Sequence, residues 1–185
     1  MIQLFWLRTD LRIADNTALS QALSNGPTVA VYLITPQQWL AHDDAPCKVD
    51  FWLRNLACLR EQLGKLNIPL LIRNCADWQQ APVTLLQLSQ QIGAGAVHCN
   101  EEYGIHETRR DRACSSLLEP QGIAFTAHFD QLLLKPGSVL TQSGNYFQVF
   151  SQFRKVCYQR LHLSLPACLP YPPAQVALPV SSDEL

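Results

Sequence analysis

The first 34 residues read MIQLFWLRTDLRIADNTALSQALSNGPTVAVYLI (residues 1–34). Residues 2–7 are a β-rich apolar run, residues 8–16 a charged loop, residues 17–23 a short helical period, and residues 28–34 a buried strand. Strand, helix and strand at this spacing form a βαβ unit, whose right-handed crossover lays two parallel strands in one sheet. The alternation continues. Thr35 opens a helical piece over 36–39, with Pro36 at the first helical position, where its missing N–H costs nothing. Val49, Trp52, Leu56, Leu59 and Leu63 recur at spacings of three and four, which predicts a long helix over 47–66. Strands are predicted at 68–72, 96–99 and 123–127. Helices are predicted at 82–92, ended by Gly93 or Gly95, and at 105–118, ended by Pro120. The fold class is therefore α/β: a doubly wound, Rossmann-like sheet of five parallel strands, order 3-2-1-4-5, with helices on both faces.

This α/β domain occupies residues 1–130. Turn signals at Pro136-Gly137 and Ser143-Gly144-Asn145 flank the run Val139-Leu140-Thr141, so residues 131–165 read as a small hairpin excursion followed by a terminal helix at 147–163. Residues 166–185 hold five of the twelve prolines and read as a semi-rigid interdomain linker.

Composition removes several classes of function. Of the 185 residues 48% are hydrophobic and 16% charged, so the chain is not disordered. Fourteen Lys and Arg against fifteen Asp and Glu leave a net charge of −1, with no electrostatic footprint for a dedicated nucleic-acid binder. No apolar run is long enough to span a membrane. Met1 leads directly into the first strand without a secretory pattern, so a cytoplasmic monomer is expected. The seven cysteines include no C-x-x-C pair and the five histidines are scattered, which reads as reduced structural thiols and no metal site.

A doubly wound sheet binds ligands beyond the carboxyl ends of its strands, here between the first and fourth. The two loops there are RTDLRIAD (8–15) and HCNEEYGIHETRRDR (98–112). Together they carry eleven of the 29 charged side chains, where average density gives about four. The sequence has no Gly-rich phosphate loop and no nucleophile elbow. Glu101, Glu102, Glu107 and Asp111 are interleaved with Arg109, Arg110 and Arg112, which neutralise them and argue against magnesium. Arg8, Asp10 and Arg12 alternate, able to pair with one another or with the second loop and so seal the open end of the sheet. Trp6, Trp39, Trp52 and Trp78 read as core or half-buried aromatics. Glu107 falls in the first turn of its helix, where the macrodipole favours a carboxylate. It either complements the dipole or accepts paired N–H donors from an aminopyrimidinone ring such as a pterin, with His106 beside it to stack or hydrogen-bond.

Several stretches resemble the amino-terminal domain of the DNA photolyase and cryptochrome family. These are FWLRTDLRIADNTAL (5–19), TPQQWL (35–40), IPLLIR (68–73), CNEEYGIHETRRDR (99–112) and LLLKPGSVLTQSGNYFQVFSQF (132–153), and the resemblance covers residues 1–170. It implies the antenna part of a bacterial class I deoxyribodipyrimidine photo-lyase, a carbon–carbon lyase that splits pyrimidine dimers in ultraviolet-damaged DNA. FAD, the catalytic centre and most DNA contacts would then belong to a carboxyl-terminal helical domain, and no catalytic residue lies in these 185. The antenna implied is 5,10-methenyltetrahydrofolate, held by the positions that read His106 and Glu107 here; His106 departs from the asparagine of that branch. A deazaflavin antenna would lie deeper in the domain, and the I-x-E spacing resembles that branch less. Leu7 stands where an aromatic residue or histidine often precedes the arginine, and Gln152 replaces a usual proline. Two other readings remain at this stage: a signalling cryptochrome, and a stand-alone nucleotide-binding module.

Overall fold

β1 (Ile2–Leu7), β2 (Thr28–Ile34), β3 (Leu70–Asn74), β4 (Ala94–Asn100) and β5 (Ala124–His128) form one parallel sheet in the order β3-β2-β1-β4-β5. The computed structural model describes residues 1–184. Successive side chains of a strand point to opposite faces. Leu4 and Trp6 of β1 therefore join a core with α4 (Ala81–Ile92) and α5 (Ile105–Leu118). Phe5 and Leu7 join a second core with α1 (Thr17–Asn25) and α3 (Pro46–Lys65). Burial on both faces is what makes β1 and β2 read as continuous apolar runs.

Local chemistry sets the ends of these elements. Asn16 caps α1, its side-chain oxygen accepting from the Leu19 N–H at 3.1 Å. Gly93 ends α4 in the left-handed conformation, φ 67°, and hands the chain straight to β4. β3 begins two residues later than the sequence predicts. Asn67 turns back with φ 57° and the Ile68 N–H closes the end of α3 on the Leu63 carbonyl, so residues 68 and 69 serve the turn. A short α2 (Pro36–Ala41) links β2 to α3.

The small hairpin predicted around Val139-Leu140-Thr141 is absent. Thr141 and Asn145 close a local turn through a 2.8 Å N–H to carbonyl bond, and no strand forms there among the described residues. Turn residues on both sides leave Val139-Leu140-Thr141 too short for a ladder; burial of the Val139 side chain holds the segment instead. α6 (Phe150–Leu163) follows, three residues later than predicted, and buries no residue, with Phe150, Tyr158 and Leu163 exposed. The proline-rich tail runs extended along the bottom of β2 and the free edge of β3. The Gln175 side-chain amide accepts from the Thr28 N–H at 2.7 Å and donates to the Thr28 carbonyl at 2.8 Å. Ser182 and Asp183 side chains accept from the Leu70 and Ile72 N–H groups, which satisfies donors that an edge strand otherwise leaves open. The cysteines divide between environments: Cys75, Cys99 and Cys114 are buried free thiols, whereas Cys47, Cys58 and Cys168 are exposed.

Between β4 and β5 two histidines stack, rings 5.2 Å apart, with His98 Nδ1 2.9 Å from His128 Nε2. The Gln3 amide donates to the Met1 carbonyl, so its oxygen accepts from His98 Nε2–H, and His98 Nδ1 is left to accept from His128. A proton on His98 would set two donors face to face. Burial, and then His128, push His98 down to about 4. The unfolded chain therefore binds a proton that the fold does not take between about pH 6.5 and 4, and stability falls as pH falls through that window. Thermal unfolding at pH 7 and pH 5 should show a midpoint several degrees lower at pH 5, with a smaller drop in His98→Gln. Equal drops in both proteins would contradict the assignment.

Candidate functional site

At the carboxyl end of β1 the chain turns Arg8 inward. Its guanidinium makes two bonds to Asp111, at 2.7 and 2.8 Å, and another to the Asn100 carbonyl at the end of β4. Glu102 lies 3.4 Å from Arg8 Nε as an ion pair without hydrogen-bond geometry, and accepts from Arg110 Nη2 at 2.8 Å. Burial opposes the charge on Arg8, and the Glu102 and Asp111 carboxylates outweigh it to hold the guanidinium protonated. Burial likewise opposes the charge on Glu102, while Arg8 and Arg110 overcome it and keep that carboxyl below its usual range. Both cations also lie over the Trp6 ring, at 5.0 and 4.8 Å, and Arg110 lies equally close to Trp78.

Arg8 and Asp10 both reach across to the second loop, as the sequence allows, whereas Arg12 forms its ion pair with neither loop. Asp10 accepts from the Arg8 backbone N–H and from the Asn16 and Asn100 side chains. Arg12 pairs with Asp130, which also accepts from the Thr17 N–H at the start of α1. The structural reading of this loop holds, with Asp130 the one ion-pair partner outside the two loops. Asn100 is its hub: its side-chain oxygen accepts from the Ala18 N–H while its carbonyl accepts from Arg8.

Because Arg8 fills the gap between β1 and β4, the open crevice is displaced toward β2. It is a small cavity of about 90 Å³ between Trp6, Tyr32, Trp39, Trp52 and Trp78, with Glu107 among its lining residues. The Trp39 and Trp52 rings pack with centroids 6.2 Å apart, tilted by 50°. The tryptophans beyond Trp6 are half-buried because they wall this opening.

Glu107 and His106 stand in the first turn of α5. Gly104, the residue before the helix, leaves room for the Glu107 carboxylate to fold over the helix start; a Cβ there would collide with it. His106 is exposed and meets His42 from the end of α2, ring centroids 5.7 Å apart. His42 in turn sets its edge on Trp78 at 5.2 Å and lies 2.7 Å from the Gln38 side-chain amide. His42 and Trp78 are the residues that reading along the sequence missed. His42 sits 64 positions from His106 in a loop with no motif of its own, and only the sheet order brings the two together. The resulting surface has an anionic acceptor, two imidazoles and an indole at the edge of a shallow opening. That set can hold a planar ring bearing paired N–H donors. Among the described residues no group of three or more metal-ligating side chains converges.

A family model described as DNA photolyase matches residues 3–173. The deoxyribodipyrimidine photo-lyase of Vibrio cholerae is 43% identical over 155 residues, covering 83% of this chain and 33% of its own length. The protein of the same name from Salmonella typhimurium is 32% identical over 176 residues, covering 94% of this chain and 37% of its own. The crystal structure of a Synechocystis cryptochrome superposes with a TM-score of 0.77 over 99% of this chain and 39% of that one, at 24% identity. The chain thus spans about a third of the length of the curated relatives it matches.

The buried charges give a direct test of what holds the crevice in shape. Asp111→Ala strands Arg8, whose side chain is 4% exposed, with a severed ion pair. The expected loss is about 3–5 kcal/mol of unfolding free energy in urea titration. A loss below about 1 kcal/mol, in the range of a surface pair, would contradict the network's role.

Proposed function

The chain belongs to the DNA photolyase family, and from that membership we propose that it forms the light-harvesting part of a deoxyribodipyrimidine photo-lyase. In this reading it holds 5,10-methenyltetrahydrofolate at the His42, His106 and Glu107 surface, close to FAD in a carboxyl-terminal domain that acts on ultraviolet-damaged DNA. One observation carries it: His42 at the end of α2 packs against His106 beside Glu107 at the start of α5, on the wall shared by two adjoining openings.

The residues present fit a pterin. Glu107, at the positive end of α5, offers two carboxylate oxygens to the adjacent N–H donors of an aminopyrimidinone. His42 and His106 offer ring faces and edges, and Trp78 backs His42. Bound there, methenyltetrahydrofolate would supply near-ultraviolet absorption. The inner crevice supports a folate over a tricyclic chromophore. At about 90 Å³ it falls well short of the roughly 300 Å³ at which drug-sized ligand pockets begin. Near-neutral charge supports leaving the DNA contacts to another domain. The unburied apolar residues of α6 support a packing surface for it. A signalling cryptochrome is the second reading, favoured by 30% identity over 94% of this chain to the Cryptochrome-1 of Arabidopsis thaliana.

The complete natural protein, reconstituted with FAD and methenyltetrahydrofolate, should show a near-ultraviolet band beyond that of FAD. Glu107→Ala should remove that band and leave FAD absorption and dark DNA binding unchanged. A band equally strong in both proteins would contradict the site. Absence of light-driven dimer repair in a folate-loaded protein would favour the cryptochrome reading.

A further inference from the structure

The opening that Glu107 faces continues into a second, larger groove. The groove has a volume of about 780 Å³ and lies between the end of α2, the loop before α4 and the first turns of α5. Gln38, His42, Trp78 and Arg110 line both spaces; Glu107 lines only the first and His106 only the second. A ligand touching His106 and Glu107 together must therefore straddle the two, with the His42 and Trp78 wall between. In the folate reading the pterin ring lies on the Glu107 side, and the groove beyond the shared wall has room for what the ring carries.

Its polar groups are unequal in what they have left to offer. Arg110 is committed to Glu102 and Asp111, both at 2.8 Å. Asp77 is committed to the backbone N–H groups of Gln79 and Gln80, at 2.9 and 3.1 Å. Arg109 also lines the groove, is exposed, and makes no ion pair among the described residues. It is the one fixed positive charge there without a carboxylate. Gln37 and Gln79 add neutral donors around it.

We infer that this groove takes the p-aminobenzoyl-glutamate arm of the folate, and that Arg109 pairs with a glutamyl carboxylate at its end. This rests on the folate reading above and extends it from the ring to the tail. Arg109 is then a specificity residue. It distinguishes a folate, whose tail carries glutamyl carboxylates, from the corresponding pteroyl amide, which has the same ring and benzoyl group and an uncharged tail. Because the pair is solvent-exposed, its contribution is modest and sensitive to salt.

The test is a fluorescence titration of the complete FAD-loaded protein with 5,10-methenyltetrahydrofolate and with its pteroyl amide counterpart, whose tail carries no carboxylate, at low and high salt. The wild-type protein should bind the folate about three- to tenfold more tightly than the pteroyl amide at low salt, with the ratio approaching one at high salt. Arg109→Gln should bring the ratio to one at low salt by weakening folate binding alone, and Arg109→Lys should retain much of the preference. A wild-type ratio of one, or an Arg109→Gln loss equal for both ligands, would overturn the inference while leaving the pterin site intact. Failure of the wild-type protein to bind either ligand would overturn the folate reading and this inference with it.

Discussion

Arg8 leaves β1 with its guanidinium turned into the protein, and the carboxyl end of the sheet is arranged around that charge. Asp111 comes to it from α5, Glu102 from the loop after β4, and the Asn100 carbonyl from the end of β4 itself. A buried guanidinium with its carboxylates in place is tolerable; one without them is strongly destabilising. The pairing therefore holds α5 at one position against the sheet. Arg110, one residue before Asp111, extends the arrangement by lying over Trp6 and Trp78 while bonding Glu102. The rotation of α5 is thereby fixed. Its first turn, with His106 and Glu107, is presented at the opening rather than to solvent at large.

The same charges explain why the opening is shallow. A doubly wound sheet normally leaves its crevice where strand order reverses, between β1 and β4. Here Arg8 occupies that gap, and tryptophans narrow what remains beside it. The proposed chromophore site at the outer edge, on His42, His106 and Glu107, would suit a part whose task is to gather light. Such a part needs a ring held in a fixed orientation, and has no use for an enclosed chamber from which water is excluded. The closed interior and the exposed rim are two results of one buried network.

The βαβ alternation was fully legible along the chain, because buried parallel strands read as apolar runs and their helices as periods of three and four. The place of Glu107 in the first turn of a helix was legible from the local pattern. What escaped was whatever depends on contacts between distant segments. Nothing about His42 marks it until β2 and β4 are placed in the sheet and α2 is seen to end beside α5. The pairing of Arg12 with Asp130, in place of its neighbours, follows from where β5 ends. The tail misled for a similar reason. Its prolines announce an extended backbone, and that is what they give, but composition does not reveal that Gln175, Ser182 and Asp183 supply the hydrogen bonds that β2 and β3 lack. The false hairpin at 139–141 came from turn residues that were real without enough chain between them to form a ladder.

The central claim is that the surface joining the end of α2 to the start of α5 holds a pterin ring. A crystal structure of the complete protein grown with methenyltetrahydrofolate tests it directly. The account predicts ring density with its N–H edge within hydrogen-bond distance of the Glu107 carboxylate and its face against His42 or His106. Ring density lodged in the inner crevice among Trp6, Trp39 and Trp52, with Glu107 free of contact, would contradict it.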